Sequence, residues 1–349
     1  MIKVSIIGAT GYVGAELVHG FCAHPEFELL HLTSRSFAGQ RFSDIYPVYR
    51  GICDIVLSDD DIDAAAEGSD LVITALPHGV SSEKVPQILA KGCKVIDHSG
   101  DFRYKNVETY EASYKLTHPA PELLKDTVYG LPELYREELK NAKLVANPGC
   151  YPTCSIIALA PFLEKGLIDT DSIIIDAISG VSGAGRKADL AYSFCETDEA
   201  FKPYGVVGHR HTSEIEEKLS LVAGKDIKVT FTPHLAPFKR GMLATIYVKP
   251  ADCYQDVTTA SLYGIYNEYY KGETFVRVLP EGTLPDIKAV NGSNYIDLGA
   301  AYDPQTGMIK LFSAQDNLGK GAALQAIQAA NCMFGLPEDS GLRSVVRGI

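Results

Sequence analysis

The chain has 349 residues, 46% of them hydrophobic and 22% charged, and a formal net charge of −12. Because one hydrophobic core seldom exceeds about 250–300 residues, the length predicts two domains. The acidic balance argues against nucleic acid and anionic membranes as partners, and no apolar run approaches the length of a membrane span. The eight cysteines include no C-x-x-C pair, and the sequence has no signal-peptide pattern. Reduced thiols in the cytoplasm are therefore expected, with neither a disulfide framework nor a bound metal.

The first predicted element is a strand over residues 2–8, which runs straight into a glycine-rich turn. Gly8, Gly11 and Gly14 follow the strand, and residues 15–21 are predicted to form a helix. Glycine allows the tight turn, the close approach of a pyrophosphate and the packing of helix against strand, while the helix N-terminus attracts the phosphates. Three glycines also make an ordinary turn, but their position at the first strand-to-helix junction favours a dinucleotide site.

The second predicted strand, residues 28–33, indicates which dinucleotide is bound. A site that prefers NAD usually ends this strand with Asp or Glu, which binds the ribose 2′-hydroxyl. Here the strand ends at Thr33-Ser34-Arg35-Ser36, with no carboxylate. A guanidinium flanked by hydroxyls suits a 2′-phosphate, so Ser34 and Arg35 are predicted to bind NADP. The alternative is an arginine on a solvated loop.

The rest of the chain separates into two patterns. Up to residue 147 the predicted elements alternate as in a parallel sheet with crossover helices, with strands 70–76, 94–98 and 143–147 and a helix near 81–91. Beyond it the predicted strands are 172–179, 226–232, 242–249, 274–279, 295–302 and 307–313, with a helix near 256–271. The predicted fold class is α/β, a Rossmann-type doubly wound parallel sheet plus an α+β catalytic domain with a mostly antiparallel sheet. The predicted domains are 1–147, completed by a C-terminal helix 317–349, and 148–316.

Cys150 is the candidate nucleophile. Residues 144–146 predict a strand, Asn147-Pro148-Gly149 ends it, and residues 153–163 predict a helix. The thiol is therefore expected at a helix N-terminus, where backbone N–H groups and the helix dipole lower a cysteine pKa and can receive the oxyanion of a tetrahedral intermediate. The alternative is a small buried core cysteine.

A partner for the thiol is expected among the nine histidines. His209 and His211 lie with Glu214 at the start of a helix predicted to run to about residue 222, with Thr212 or Ser213 as N-cap. A histidine here can exchange protons with a thiol, and Glu214 can hold its ring. If the segment is extended, the two rings point to opposite sides and only one shares a site with Cys150. Capping or surface roles are the alternative, and a metal site lacks a third ligand at zinc-like spacing.

Seven motifs spread along the chain belong together. They are Gly8-Ala9-Thr10-Gly11-Tyr12-Val13-Gly14, Ala75-Leu76-Pro77-His78-Gly79, Asp101-Phe102-Arg103, Asn147-Pro148-Gly149-Cys150-Tyr151-Pro152-Thr153, Ser179-Gly180-Val181-Ser182-Gly183-Ala184-Gly185-Arg186, His209-Arg210-His211 and Asn317-Leu318-Gly319-Lys320-Gly321. In these motifs the chain resembles the N-acetyl-gamma-glutamyl-phosphate reductases, NADP-dependent enzymes of arginine biosynthesis related to aspartate-semialdehyde dehydrogenase. The resemblance covers essentially the whole chain, and its cysteine segment is the most specific, since aspartate-semialdehyde dehydrogenases are expected to have Asn before the cysteine. One mild departure is Gln40, where the family often has Lys.

The resemblance implies a mechanism and a set of site residues. Cys150 attacks an acyl phosphate, phosphate leaves, and hydride from NADPH reduces the thioester to N-acetylglutamate 5-semialdehyde. His209 is implied as the proton-transfer residue with Glu214 in support, and His211 as a packing or substrate-binding residue. Arginines are implied as anion sites, although each equally suits a structural ion pair: Arg103 for the phosphate, and Arg186 or Arg240 for the substrate carboxylate. The remaining implied cofactor contacts are Thr10, Tyr12, Val13, Pro77, Ser182, Gly183 and Asn317. A homo-oligomer, either dimer or tetramer, is also expected.

Other functions fit parts of the pattern. An aspartate-semialdehyde dehydrogenase or a carrier-linked aminoadipyl-phosphate reductase would share the chemistry, although the charge of −12 argues against an acidic carrier protein. A short-chain-type epimerase needs Tyr and Lys four residues apart, and none of the nineteen tyrosines has that neighbour. A redox-sensing NADPH-binding protein with Cys150 as a structural thiol leaves the helix-start position and the histidine cluster unexplained.

Overall fold

The computed structural model describes residues 1–343 of the chain. These residues form two compact units, the first comprising Met1–Pro148 and Ala322–Arg343, and the second Gly149–Gly321. The assignment of cofactor binding to the first predicted domain and of catalysis to the second stays a prediction.

The first unit is built on a six-stranded sheet whose pairings are all parallel. Its strands are β1 (Ile2–Ile7), β2 (Phe27–Thr33), β3 (Leu71–Thr74), β4 (Lys94–Asp97), β5 (Val128–Tyr129) and β6 (Leu144–Ala146), in the spatial order β2-β1-β3-β4-β6-β5. The strand order reverses between β1 and β3, the point at which doubly wound sheets open a crevice for a dinucleotide. All four residues of β3 are buried, as expected for a strand covered on both faces.

Seven helices belong to the described residues of the first unit. They are α1 (Tyr12–Cys22), α2 (Phe42–Ile45), α3 (Ile62–Ala66), α4 (Ser81–Ala90), α5 (Val107–Tyr114), α6 (Pro132–Lys140) and, from the end of the chain, α11 (Leu324–Met333). Helices α3 and α4 pack with the sheet in one apolar core that includes Ala65, Val72, Val85 and Val95.

The second unit is built on a seven-stranded mixed sheet. Its strands are β7 (Ile174–Gly180), β8 (Lys202–Pro203), β9 (Thr230–Ala236), β10 (Met242–Val248), β11 (Val276–Val278), β12 (Ile296–Asp303) and β13 (Met308–Gln315), in the order β11-β12-β13-β10-β7-β9-β8. Only β7–β9 and β11–β12 pair in parallel, and the other four pairings are antiparallel. The predicted fold class is therefore confirmed.

The helices of this unit are α7 (Cys150–Glu164), α8 (Phe194–Thr197), α9 (Arg210–Ala223) and α10 (Thr259–Tyr269). Helix α7 is buried continuously from Tyr151 to Leu163, because it packs against α9, β10, β13 and α10. A helix that is buried on every side has little freedom to shift, so its first residue, Cys150, has a well-defined position.

The predicted C-terminal helix over 317–349 is wrong in its extent. Gly319–Ala323 form a π-helical turn, and α11 ends at Met333. Two residues further, Gly335 has a φ of 67°, and Pro337 follows. Left-handed glycine ends a helix and proline cannot extend it. Residues 344–349 of that prediction lie outside the described residues. In the described part of the chain, no helix is both long and apolar enough to cross a membrane.

Candidate active site

Cys150 is the first residue of helix α7, with Gly149 as N-cap at φ −70° and ψ 153°. The helix thus begins three residues earlier than the predicted start at residue 153. Pro152 lies in the first turn, where its missing N–H removes no helical hydrogen bond, and the N–H of Thr153 makes the first such bond, to Gly149 O at 3.0 Å. The predicted placement of the thiol at a helix N-terminus is confirmed, in a field that favours the thiolate.

Glu214 holds the segment that carries the nucleophile. Its side chain, on α9, is fully buried, and Oε1 accepts a hydrogen bond from the Gly149 N–H at 2.9 Å. A buried hydrogen bond of this kind fixes the backbone immediately before Cys150. Sequence reasoning assigned Glu214 to support of His209, and that role stays a prediction. The bond to Gly149 joins residues 65 apart, so local sequence carried no signal for it.

Two further residues of the second unit fix Cys150. Gln315 Nε2 donates to the Cys150 carbonyl at 2.7 Å. A Cβ on Gly321 would lie 2.9 Å from the Cys150 Cβ, so only glycine fits beside the cysteine. Sequence reasoning did not assign either residue, although Gly321 lies in one of the motifs that carry the resemblance.

The Cys150 thiol belongs to a cavity of about 380 Å³ in the second unit. The cavity brings together four residues that the sequence selected, Cys150, His209, His211 and Gly183. Its further lining includes Tyr151, Ser179, Tyr192, Lys202, Tyr204 and Arg210. Lys202 and Arg210 are cationic groups that sequence reasoning did not assign, and they give the cavity a charge suited to an anionic substrate. The predicted anion ligands Arg186 and Arg240 do not line this cavity.

His209 and His211 face one site, contrary to the extended geometry considered from sequence. His209 is itself the N-cap of α9, in place of the predicted Thr212 or Ser213, and its Nδ1 accepts the His211 N–H at 3.1 Å. Because the chain turns into the helix here, the two ring centroids lie only 5.1 Å apart. Nδ1 is occupied as an acceptor, so the neutral His209 ring carries its proton on Nε2.

An aromatic shell surrounds His209. Tyr151, Tyr204 and Phe231 approach the ring edge-on, with centroids 5.4–5.7 Å away. Burial, with a smaller contribution from the neighbouring Arg210, lowers the pKa of His209 to about 4. Burial also raises the pKa of Tyr204 to about 12. At neutral pH both groups are therefore uncharged, and both line the cavity that includes Cys150.

The predicted substrate and cofactor residues of the second unit have different surroundings. Arg240 forms a two-point ion pair with the buried Asp316, at 3.2 Å from Nε and 2.7 Å from Nη2, which is the structural alternative considered from sequence. Arg186 is exposed.

Asn317 Nδ2 donates to Ser182 Oγ at 3.0 Å, and a Cβ on Gly183 would lie 3.7 Å from that nitrogen. The three predicted nicotinamide neighbours therefore form one cluster.

The glycine-rich turn of the first unit has the backbone geometry of a dinucleotide cradle. Gly8 has a φ of 87°, and a Cβ there would lie 2.5 Å from Ala75 O. Gly11 is the N-cap of α1, and Tyr12 and Val13 begin the helix. Thr10 Oγ1 lies 2.7 Å from Ser34 Oγ, which ties the turn after β1 to the end of β2. Pro77 is exposed in the loop after β3.

The end of β2 has a carboxylate neighbour that the sequence did not place there. The exposed Arg35 side chain lies 3.5 Å from Asp60, whose carboxylate also accepts the Thr33 hydroxyl at 2.9 Å. Residues 58–60 reach β2 through a bridge between Ser58 and Thr33. Sequence reasoning considered only residues that follow β2 in the chain, so this acidic group was missed.

Arg103 lies in the first unit and is only 6% exposed. Its Nη2 donates to the His98 carbonyl at 2.9 Å. Just before it, the buried Asp101 accepts the N–H groups of Gly79 and Ser82 at 2.9 Å. These bonds fix the loop after β4 and hold the Arg103 guanidinium in place.

Comparison with known proteins identifies the family. Residues 3–142 match the profile of the semialdehyde dehydrogenase NAD binding domain, and residues 150–317 match that of the semialdehyde dehydrogenase dimerisation domain. The chain belongs to the semialdehyde dehydrogenase family. The resemblance stated from the sequence motifs is confirmed, since the curated relatives include N-acetyl-gamma-glutamyl-phosphate reductases from Acetivibrio thermocellus, 56% identical over 98% of each chain, and from Desulforudis audaxviator, 51% identical over 98% of each.

Solved structures agree on the fold. Aspartate semialdehyde dehydrogenase with NADP from Candida albicans has a TM-score of 0.73 and 18% identity, with coverage of 95% of this chain and 98% of that one. Aspartate semialdehyde dehydrogenase II complexed with ASA from Vibrio cholerae has a TM-score of 0.72 and 17% identity, with the same coverage.

Proposed function

We propose that this protein catalyses the NADPH-dependent reduction of N-acetyl-gamma-glutamyl phosphate to N-acetylglutamate 5-semialdehyde and phosphate, a step of arginine biosynthesis. The observation that carries the proposal is the position of Cys150, at the start of a buried helix and in one cavity with His209 and His211. Relatives at 51–56% identity bear the name of this enzyme, which favours this substrate over aspartyl phosphate or a carrier-linked aminoadipyl phosphate.

The covalent step uses the thiolate of Cys150. Its sulfur forms a bond to the acyl carbon, and the bond from that carbon to the phosphate oxygen breaks, so phosphate leaves with the electron pair. Bound NADPH supplies the hydride that reduces the thioester. The resulting thiohemiacetal oxyanion expels the Cys150 thiolate and releases the aldehyde. Backbone N–H groups of the first turn of α7 stabilise the oxyanion in both tetrahedral intermediates.

We assign oxyanion support to His209, whose Nε2–H donates a hydrogen bond to the developing oxyanion; proton transfer at His209 stays the role that the sequence motifs imply. Its Nδ1 is held by the His211 N–H, and the lowered pKa keeps the ring neutral with a proton on Nε2 at pH 7. His211 is assigned to substrate binding. Glu214 positions Cys150 through Gly149, and its support of His209 is retained as part of the proposal.

The anion-binding roles of Arg186 and Arg240 are proposed on charge alone, and those of Arg103, Lys202 and Arg210 on charge and placement. Arg103 is assigned to the phosphate, since it is buried and held by the His98 carbonyl. Arg186 and Arg240 remain the proposed ligands of the substrate carboxylate, and Lys202 and Arg210 of the cavity join them as cationic candidates.

We propose NADP as the cofactor. The glycine turn, with Gly8, Gly11 and Gly14, fits a pyrophosphate at the N-terminus of α1. Thr10, Tyr12 and Val13 belong to the turn and the start of α1, and Pro77 lies in the loop after β3. The exposed Arg35 suits the 2′-phosphate. The cluster of Ser182, Gly183 and Asn317 is assigned to the nicotinamide end.

We also propose that the protein is a homo-oligomer, a dimer or tetramer, in the cytoplasm. The segment 190–207 exposes a series of large apolar side chains, Leu190 (77%), Phe194 (77%), Phe201 (59%), Val206 (55%) and Val207 (96%), and apolar exposure of this extent marks protein contacts. It lies within the match to the dimerisation domain. The eight cysteines include no C-x-x-C pair, a pattern that fits thiols in a reducing compartment.

The reverse reaction tests the function. NADP reduction is measured with N-acetylglutamate semialdehyde and with aspartate semialdehyde, each with and without inorganic phosphate. The proposal predicts phosphate-dependent reduction with a clear preference for the acetylated substrate. Preference for the aspartate compound would overturn the substrate assignment, and activity independent of phosphate would overturn the acyl-phosphate chemistry.

A further inference from the structure

A buried polar cluster lies at the carboxyl ends of β4 and β6 in the first unit. His98 directly follows β4, and Asn147 directly follows β6, the strand that pairs with it. Asn147 is fully buried, and its Nδ2 lies 2.9 Å from the Ala322 carbonyl and 3.2 Å from His98 Nδ1. No role has been assigned so far to His98.

These contacts fix the tautomer of His98. A carbonyl oxygen only accepts hydrogen bonds, so the side of the Asn147 amide that faces Ala322 must be the nitrogen. The same nitrogen donates to His98 Nδ1, which is therefore the acceptor of the ring. The neutral imidazole then carries its proton on Nε2.

The Nε2–H group of His98 has no acceptor. The atom is buried, and neither it nor Asn147 Oδ1 has a hydrogen-bond partner among the described residues. Buried polar groups are nearly always hydrogen-bonded, and an orphaned one calls for an explanation such as a ligand. An acceptor that enters beside His98 would satisfy the donor.

The surroundings include one cation. The Arg103 guanidinium is anchored on the His98 carbonyl, and its positive charge acts on the His98 ring. Two carboxylates lie in the same loops, but both are already engaged: Asp97 accepts the hydroxyls of Thr74 and Ser99, and Asp101 accepts backbone N–H groups and the Tyr110 hydroxyl.

The charge state of His98 is also fixed. Burial, reinforced by Arg103, lowers the pKa of His98 to about 3. The ring therefore stays neutral through the physiological range, and Nε2 remains a donor without adding a second buried charge.

We propose that His98 is a phosphate-binding residue, whose Nε2–H joins the Arg103 guanidinium in holding the phosphoryl group of the acyl phosphate and the inorganic phosphate that leaves. The proposal rests on the function proposed above, which assigns the phosphate to Arg103. The phosphates of the dinucleotide share this chemistry, so the test must separate the two sources.

The test compares His98→Leu with His98→Gln in the reverse reaction. Leucine removes the donor, whereas the glutamine amide can return an N–H group near the position of Nε2. We expect His98→Leu to raise the KM for inorganic phosphate about 10- to 150-fold, the loss typical of one hydrogen bond to a charged group. The dissociation constant for NADP should stay within about twofold, and His98→Gln should recover most of the phosphate affinity.

Several results would overturn the proposal. An unchanged KM for phosphate in a folded His98→Leu enzyme would remove His98 from the phosphate site, and weaker NADP binding with unchanged phosphate KM would assign it to the cofactor. The wild-type enzyme gives a second measurement that needs no variant: saturating inorganic phosphate should shift the His98 Nε2–H resonance in ¹⁵N-edited NMR, and no shift would contradict the proposal. A wild-type enzyme with no phosphate-dependent activity would instead refute the proposed function.

Discussion

The three glycines of the turn after β1 should respond differently to alanine, because their surroundings differ. A Cβ on Gly8 would lie 2.5 Å from Ala75 O at a φ of 87°, and a Cβ on Gly14 would lie 2.4 Å from Gly8 O. At Gly11 the nearest atom would be 3.7 Å away, an ordinary contact. The fold therefore requires glycine at two of the positions, whereas a bound pyrophosphate would require it at the third.

The expected magnitudes follow from these distances. Gly8→Ala combines a left-handed conformation, worth about 1–2 kcal/mol, with a backbone clash worth about 1–3 kcal/mol. Its free energy of unfolding should therefore fall by about 2–5 kcal/mol. Gly14→Ala meets only the clash and should lose about 1–3 kcal/mol. Gly11→Ala replaces a tolerated N-cap residue and should lose about 1 kcal/mol or less.

Urea unfolding measures the stability of each variant, and calorimetric titration measures its affinity for NADPH. Gly11→Ala should unfold nearly like the wild type and yet bind NADPH at least about tenfold more weakly, since the methyl group stands where the pyrophosphate approaches helix α1. Wild-type NADPH affinity in Gly11→Ala would refute the assignment of this turn to the cofactor. Wild-type stability in Gly8→Ala would refute the packing argument itself.

Other predictions concern the cofactor, the nucleophile and the acid–base group. Arg35→Asp should weaken NADPH binding at least about tenfold and NADH binding little in calorimetric titration, and equal losses would separate Arg35 from the 2′-phosphate. Glu214→Leu leaves the Gly149 N–H without an acceptor, so it should lower the free energy of unfolding in urea by about 1–3 kcal/mol and slow turnover. Glu214→Gln keeps an acceptor and should behave nearly like the wild type. Equal losses of turnover in the two variants would show that the charge of Glu214 matters instead. His209→Asn should lower kcat about 10²–10⁴-fold and His211→Asn should mainly raise KM, and a reversed pattern would exchange their roles. The pKa of His209 in the folded protein is about 4, below its ordinary value of 6.5, so the unfolded chain takes up the proton first as the pH falls. The free energy of unfolding should therefore decrease as the pH drops from 6.5 to 4. His209→Asn should reduce that decrease when unfolding is measured at several pH values.

The sequence predicted those parts of the molecule that depend on neighbouring residues. The junction at Gly8, the strand end at Arg35 and the helix start at Cys150 all follow from short runs whose pattern determines the local backbone. Relations between distant segments left no local signal. The hydrogen bond from Gly149 to Glu214 and the approach of Asp60 to Arg35 both depend on how separate elements pack.

The histidine segment illustrates a different limit. Whether His209 and His211 face one site depends on the backbone between them, and the sequence left that open. His209 caps α9 with its own ring, a role usually taken by Ser, Thr, Asp or Asn. Propensity therefore favoured Thr212 or Ser213 as the cap, and only the structure brought both rings to the same cavity.

Trapping the acyl-enzyme tests the central claim most directly. The protein is mixed with N-acetyl-gamma-glutamyl phosphate in the absence of NADPH, quenched in acid and analysed by intact-mass and peptide mass spectrometry. We expect one N-acetylglutamyl group per chain, attached to Cys150. It should be released as aldehyde when NADPH is added before the quench, and it should be absent in Cys150→Ser. Turnover of the substrate without an acyl group on Cys150 would contradict covalent catalysis by this residue. A Cys150→Ser variant that keeps a tenth of the wild-type rate would contradict it too, because that loss corresponds to a barrier change of only about 1.4 kcal/mol.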